Sequence, residues 1–222
     1  MTPKAGGQHA PAPQLAGTGR LADDLYLIAH HDRTGRLLLS PRAAGLGLAG
    51  ALLAELILAG AIQITAGTVT AGPCPPGDAL AAGVLGQVAA EQRHPPQEWL
   101  AFLARTAPAK VAGRLEPAGY LTPASAWPPW RGQRPVPVDA NCAFAPVTRI
   151  CSALDPSHTA AVQGAALAGL ATACGLGARL ALYLPPGSRR LEEAADWLDP
   201  GLREVITQTQ AAVDSALLAH RR

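Results

Sequence analysis

From Ala43 to Ile62 the chain is apolar throughout except for one acid, Glu55. A helix that is apolar on every side belongs either at the centre of a protein or across a bilayer. Its length approaches the roughly 20 residues that span a membrane, but three features favour the protein interior. Glu55 in the hydrocarbon would cost about 2.5–3.5 kcal/mol on insertion scales. Gly45, Gly47, Gly50 and the many alanines contribute little transfer energy, yet they let neighbouring helices approach closely. No Trp or Tyr belt flanks the run, and Arg42 is the one basic residue beside its start. The sequence therefore predicts a buried central helix that turns at Gly60 into a strand. Glu55 is expected to bond a backbone amide or a basic side chain, because a buried acid must be satisfied.

A chain of 222 residues with 49% hydrophobic content can bury a full core, which excludes a disordered protein. The net charge of +2 is too balanced for the dense cationic footprint of a nucleic-acid binder, so any basic function must come from a local patch. Cys74, Cys142, Cys151 and Cys174 lie far apart, without a Cys-x-x-Cys pair, and no charged segment followed by an apolar run opens the chain. Four reduced thiols in a cytoplasmic protein are expected, without a zinc site. Residues 1–19, rich in Gly, Pro and Ala, read as a flexible tail, and residues 20–222 as the folded domain.

Periodicity predicts a first helix to about His31, a turn at Asp32 to Arg36, and a short strand at Leu37-Leu38-Leu39. After the central helix, Ile62 to Thr65 and Thr68 to Thr70 alternate around Ala66-Gly67, a β-hairpin. Asp78 caps a helix reaching Gln92. Another follows Pro95-Pro96 with Trp99, Phe102 and Leu103 inward, and Pro108 should bend or end it. Val111 and Leu115 mark a helix from about Ala109 to Ala118, with Gly119 as a left-handed cap. Between about 121 and 145, Trp127-Pro128-Pro129-Trp130 and Pro135-Val136-Pro137-Val138 suit a projecting loop or edge hairpin. Asp155-Pro156 should start an Ala-rich buried helix ending at Gly175. A short apolar element from Ala178, an amphipathic segment from Arg189 to Leu198 and a long terminal helix through Leu217 complete the chain. The fold class is mainly α: one globular domain of buried central helices surrounded by amphipathic ones, with short β-hairpins.

Catalytic signals are sparse. His30 and His31 point about 100° apart on a helix and read as a helix-end pair rather than metal ligands. There is no Gly-x-Ser-x-Gly elbow, phosphate loop or dinucleotide fingerprint. Cys151 or Cys174 as a nucleophile would need a histidine brought near, His158 for Cys151, and buried structural thiols are the simpler reading. No catalytic residue, metal or cofactor is predicted.

The order of elements carries a resemblance. Leu25-Tyr26-Leu27-Ile28-Ala29, then a short turn, then Ala51 through Glu55 to Ile64, is similar to the signature of the Golgi phosphoprotein 3 family; Gly119-Tyr120-Leu121-Thr122 and Leu202-Arg203-Glu204-Val205-Ile206 sit where that family has comparable segments. The similarity covers about Leu21 to Leu218, and the alanine- and proline-rich composition resembles a bacterial member. It implies a non-catalytic peripheral membrane or adaptor protein that binds anionic phospholipid or phosphoinositide, with a hairpin linked to homo-oligomerisation and a protein client. A cytoplasmic protein, peripheral at the inner face of the membrane, is the implied location.

In that family the phosphatidylinositol 4-phosphate pocket uses a tryptophan before the central helix and an arginine inside it. Here those places hold Ser40 and Ala49. Of two further basic positions, Arg105 matches and Pro108 does not; Arg42, Lys110 and Arg114 are the cations that substitute. Fork-shaped guanidinium groups suit phosphate, so Arg42, Arg105, Lys110 and Arg114 are the candidate head-group residues. Trp127, Trp130 and Arg131 are the candidate membrane or oligomer contact. Two other classes compete: a DNA-binding regulator, if the helix and hairpin form a winged helix, and an uncharacterised cytoplasmic enzyme. Ala43 to Ala61 contains no Lys or Arg, which disfavours nucleic acid as a partner.

Overall fold

The computed structural model describes residues 18–91, 94–122, 135–157 and 161–219. The predicted tail, His158 and the Trp127, Trp130 and Arg131 contact lie outside the described residues, Thr18 and Gly19 of the tail region excepted. The elements are α1 (Leu21–Ala29), α2 (Pro41–Leu58), β1 (Ile62–Thr65), β2 (Thr68–Ala71), α3 (Ala79–Ala90), α4 (Pro96–Leu103), α5 (Ala107–Leu115), α6 (Ala140–Leu154), α7 (Val162–Ala173), α8 (Gly177–Ala181), a 3₁₀ helix over Leu191–Trp197 and α9 (Pro200–Ala219). The mainly α class is as the sequence implies.

Helix α2 is the axis of the fold. Ser40 caps it, its hydroxyl accepting from the Ala43 N–H at 3.2 Å, and Pro41 supplies a first-turn residue that needs no donor. The helix is long and apolar enough to cross a membrane, yet 72% of it is buried within the protein. Helices α1, α4, α5, α7 and α9 pack around it. Its glycines make this crowding possible. A Cβ at Gly45 would stand 2.6 Å from the Ala104 carbonyl oxygen, one at Gly47 would strike the Cys174 sulfur, and one at Gly50 would strike Thr209 and come within 3.3 Å of Leu170. Gly50 meets α9 at Thr209, whereas Ile57 lies 3.9 Å from the space beside Gly201, so α2 and α9 run antiparallel. Helix α7, buried from Gly164 to Ala171, is the second central helix.

The hairpin pairs Ile62 with Ala71 and Thr65 with Thr68. Ala66 and Gly67 both have positive φ, 51° and 74°, the primed turn that a two-residue connection requires. Ile62 and Val69 point inward, and this is the one strand pair among the described residues.

Several expected elements differ. Leu37 makes an isolated bridge to His30 instead of a strand. Pro108 opens α5 rather than ending a helix, since a first-turn proline loses no hydrogen bond. Phe102 is 47% exposed and stacks edge-on to buried Trp99. Much of the loop or hairpin expected over about 121–145 lies outside the described residues, and its last residues are helical, because α6 begins at Ala140 behind an Asp139 cap. Asp155 ends α6 instead of starting the next helix: its carboxylate accepts from the Ser157 N–H at 2.8 Å, a turn that competes with helix initiation. The buried helix then starts at Val162.

Candidate functional site

The two ends of α2 carry opposite electrostatics. Arg42 sits in its first turn and is exposed. One turn further, Gly45 lies against Ala104, so Arg105 emerges at the same end. Lys110, whose N–H bonds the Thr106 carbonyl at 3.0 Å, is exposed in the first half of α5. Arg42, Arg105 and Lys110 have no carboxylate partner among the described residues. The amino terminus of α2 adds the equivalent of about half a positive charge.

The carboxyl end of α2 is an ionic cluster, and it takes Arg114 out of the candidate head-group patch. The Arg114 side chain is 9% exposed. Its Nη1 and Nη2 donate to the Glu55 carboxylate at 3.2 and 3.1 Å, its Nε donates to Asp23 at 2.8 Å, and its Nη1 lies 3.3 Å from Asp78. Glu55 also accepts from the Ala22 N–H at 2.7 Å, so the acid has both kinds of partner that a buried carboxylate was expected to need. Asp78 does double service, capping α3 through the Leu80 and Ala81 N–H groups at 2.9 and 3.1 Å. Arg20 reaches it from outside at 3.6 Å. Behind this cluster, Asp24, fully buried, is paired with Arg149 and accepts from the Thr18 hydroxyl at 2.9 Å.

The titration behaviour follows from burial. Desolvation pushes Asp23 up to about 6 against the pull of Arg114. Glu55 and Asp24 are also raised by desolvation, with Arg114 and Arg149 opposing. At the less buried Asp78, desolvation is outweighed by the Ala81 N–H, Arg114 and Arg20, and the carboxyl is held below its usual range. Arg114 is desolvated too, but Glu55 and Asp23 raise its affinity for the proton. The arrangement is a structural clamp joining α1, α2, α3 and α5.

Other candidates resolve from their surroundings. Ser40 is the cap of α2, and Ala49 is fully buried, so that position has no space for a guanidinium aimed at a ligand. Burial raises the Cys142 and Cys151 thiols and pushes Cys174 up to about 12, which keeps them protonated and weakly nucleophilic. His30 stacks on Tyr26 at 4.0 Å and its Nδ1 lies 2.7 Å from the Tyr26 carbonyl, as a helix-end residue. Among the described residues no three His, Cys, Asp or Glu side chains are grouped to hold a metal. Helix α2 is enclosed, so it does not offer the exposed recognition helix of a winged-helix protein. The Thr122 N–H donates to the Val136 carbonyl at 2.8 Å and the Val138 N–H to the Tyr120 carbonyl at 3.0 Å.

An enclosed α2, a hairpin directly after it and a ring of helices around it describe the fold of the described residues, and the family model for Golgi phosphoprotein 3 (GPP34) matches residues 21–209. The chain belongs to the Golgi phosphoprotein 3 family. A search of curated proteins gives no match. The match runs from the first residue of α1 to Thr209 on α9, so it contains Arg42, Arg105, Lys110 and the Arg114 clamp. Within this Golgi phosphoprotein 3 domain, sequence reasoning missed Asp23, Asp24, Asp78 and Arg149 as partners of the buried charges. Two adjacent acids inside the apolar α1 were the available signal, since each needs a cation once buried.

Proposed function

We propose that this chain is a non-catalytic peripheral membrane or adaptor protein that docks on anionic lipid through its exposed cations Arg42, Arg105 and Lys110. Family membership supports the reading, and one observation carries it: these three cations lack carboxylate partners among the described residues, while Arg114 is fully paired. Each cation near an anionic surface contributes about 1 kcal/mol. Three of them, with the α2 amino terminus, give a weak, salt-sensitive attachment that a phosphoinositide head group would strengthen. Trp127, Trp130 and Arg131 are proposed as an additional interfacial contact, the aromatic rings sitting at head-group level. The surface engaged is the cytoplasmic leaflet.

Vesicle flotation tests this. The chain should float with vesicles containing phosphatidylglycerol or phosphatidylinositol 4-phosphate and not with phosphatidylcholine alone, and raised salt should release it. Arg42→Glu/Arg105→Glu/Lys110→Glu should abolish flotation with the far-UV circular dichroism unchanged. Failure of the wild-type chain on both anionic compositions would overturn the reading. Equal binding to neutral vesicles would do the same.

A further inference from the structure

Because α2 and α9 are antiparallel, the carboxyl end of α9 arrives beside the amino terminus of α2. There they enclose a groove of about 300 Å³ lined by Ser40, Pro41, Arg42, Ala216, Leu217 and Ala219. The inward stripe of α9 is complete without its last leucines: Leu202, Val205, Ile206, Thr209, Val213 and Ala216 are buried. Leu218 stands roughly 200° around the helix from Ala216 at 100° per residue. It is 66% exposed, and Leu217, at the groove wall, is 44% exposed. Two adjacent leucines in water, beside a cation, are not needed by the core.

We propose that this groove and the Leu217-Leu218 tip form a second contact with the bilayer, taking the acyl-chain edge of the anionic lipid while Arg42 holds its phosphate. The proposal deepens the membrane reading above and rests on it. Charge selects the occupant. Arg42 and the α2 amino terminus supply positive potential at the groove mouth. Asp214, exposed one turn before Leu218, is the one acid in the last three turns of α9. A second copy fits less well, because it would bring a second Arg42 and a second positive α2 amino terminus into one interface, with Asp214 as the one acid on the last three turns of each α9 to offset them. An anionic bilayer offers phosphate to the arginine and hydrocarbon to the leucines. Apolar burial and electrostatic attraction of this kind add in interfacial binding.

The test is vesicle binding by the full chain carrying Leu217→Ser/Leu218→Ser, with circular dichroism as the fold control. On phosphatidylcholine vesicles containing phosphatidylglycerol, binding should weaken by about tenfold or more, since a leucine withdrawn from apolar contact is worth about that factor. The dependence on salt should stay that of wild type. As a second readout, an environment-sensitive fluorophore on Leu218→Cys in a Cys74→Ser chain should shift to the blue when these vesicles are added. If wild type binds and the leucine variant binds equally well, the inference falls and the membrane reading survives. A fluorophore that stays in water on bound protein has the same meaning, as does a leucine variant that changes only the oligomeric state in gel filtration. If wild type binds no vesicle, both fall.

Discussion

Replacing Arg114 with methionine keeps the length of the side chain and removes the one cation that three carboxylates share. Asp23, Glu55 and Asp78 have side chains only 3%, 11% and 17% exposed, so water cannot take over the lost role. Breaking a buried ion pair from one side costs about 3–5 kcal/mol, because the remaining charge is left uncompensated. Proton uptake limits that loss. Neutralising an ordinary carboxylate at pH 7 costs about 4 kcal/mol, at 1.36 kcal/mol per pH unit below neutrality. Asp23, already pushed up to about 6, would take its proton for much less. The variant should therefore lose about 4 kcal/mol at pH 8 and clearly less at pH 5, where the carboxyls protonate cheaply. With a urea m-value of about 2 kcal/mol/M, this moves the midpoint by about 2 M at pH 8. Urea titrations followed by circular dichroism at the two pH values measure it, and Arg114→Met/Glu55→Gln should recover part of the loss. A loss below about 1 kcal/mol at pH 8, or one that does not change with pH, would refute the clamp.

The remaining predictions concern the same core. A carboxyl whose folded pKa lies above its unfolded value binds more protons when folded, so its contribution to stability is present in acid and lost as pH rises through the folded pKa. For Asp23, raised from 3.8 to about 6, stability should fall by on the order of 3 kcal/mol between about pH 4 and pH 6; Asp23→Asn should remove that part of the decline in urea midpoints across the window. The lowered Asp78 acts in the opposite sense, its contribution being lost as pH falls from its ordinary value through its folded pKa, and the variant leaves that acid limb in place. Gly47→Ala, normally favourable in a helix, should instead destabilise by about 1–3 kcal/mol, because its Cβ meets Cys174. Gly47→Ala/Cys174→Ala should regain much of this in thermal unfolding, and an unchanged melting temperature for the single variant would contradict the packing of α2 against the Cys174 region.

The central helix was legible because an apolar run with one acid leaves few physical options, and the same logic gave Glu55 its amide and its cation. What the sequence could not supply was which cation. Arg114 lies 59 residues from Glu55 and 91 from Asp23, and on α5 it is spaced from Lys110 as a solvated pair would be. Only the third dimension separates the two, turning Arg114 into the clamp and leaving Lys110 outside. Proline misled the reading in both directions. Pro108, expected to bend or end a helix, opens one, and the Pro135-Val136-Pro137-Val138 run hides the start of α6, whose buried residues include Cys142, Ala145, Ile150 and Ala153 with Leu154 at its end. At Asp155 the side chain chose the Ser157 amide over a helix cap, a local competition that composition does not decide. The hairpin was readable because Ala66-Gly67 sits between two alternating runs, although only the glycine suits positive φ without strain.

The account stands most directly on the burial of α2 by its own chain, and native-state hydrogen exchange on detergent-free protein measures that. Amides from Leu48 to Ala54, all within the enclosed stretch, should exchange only through global unfolding, with protection equal to the urea-derived stability. Adding anionic vesicles should leave their protection unchanged. Fast exchange of these amides in buffer, with protection acquired only in detergent or bilayer, would contradict the fold and the site built on it.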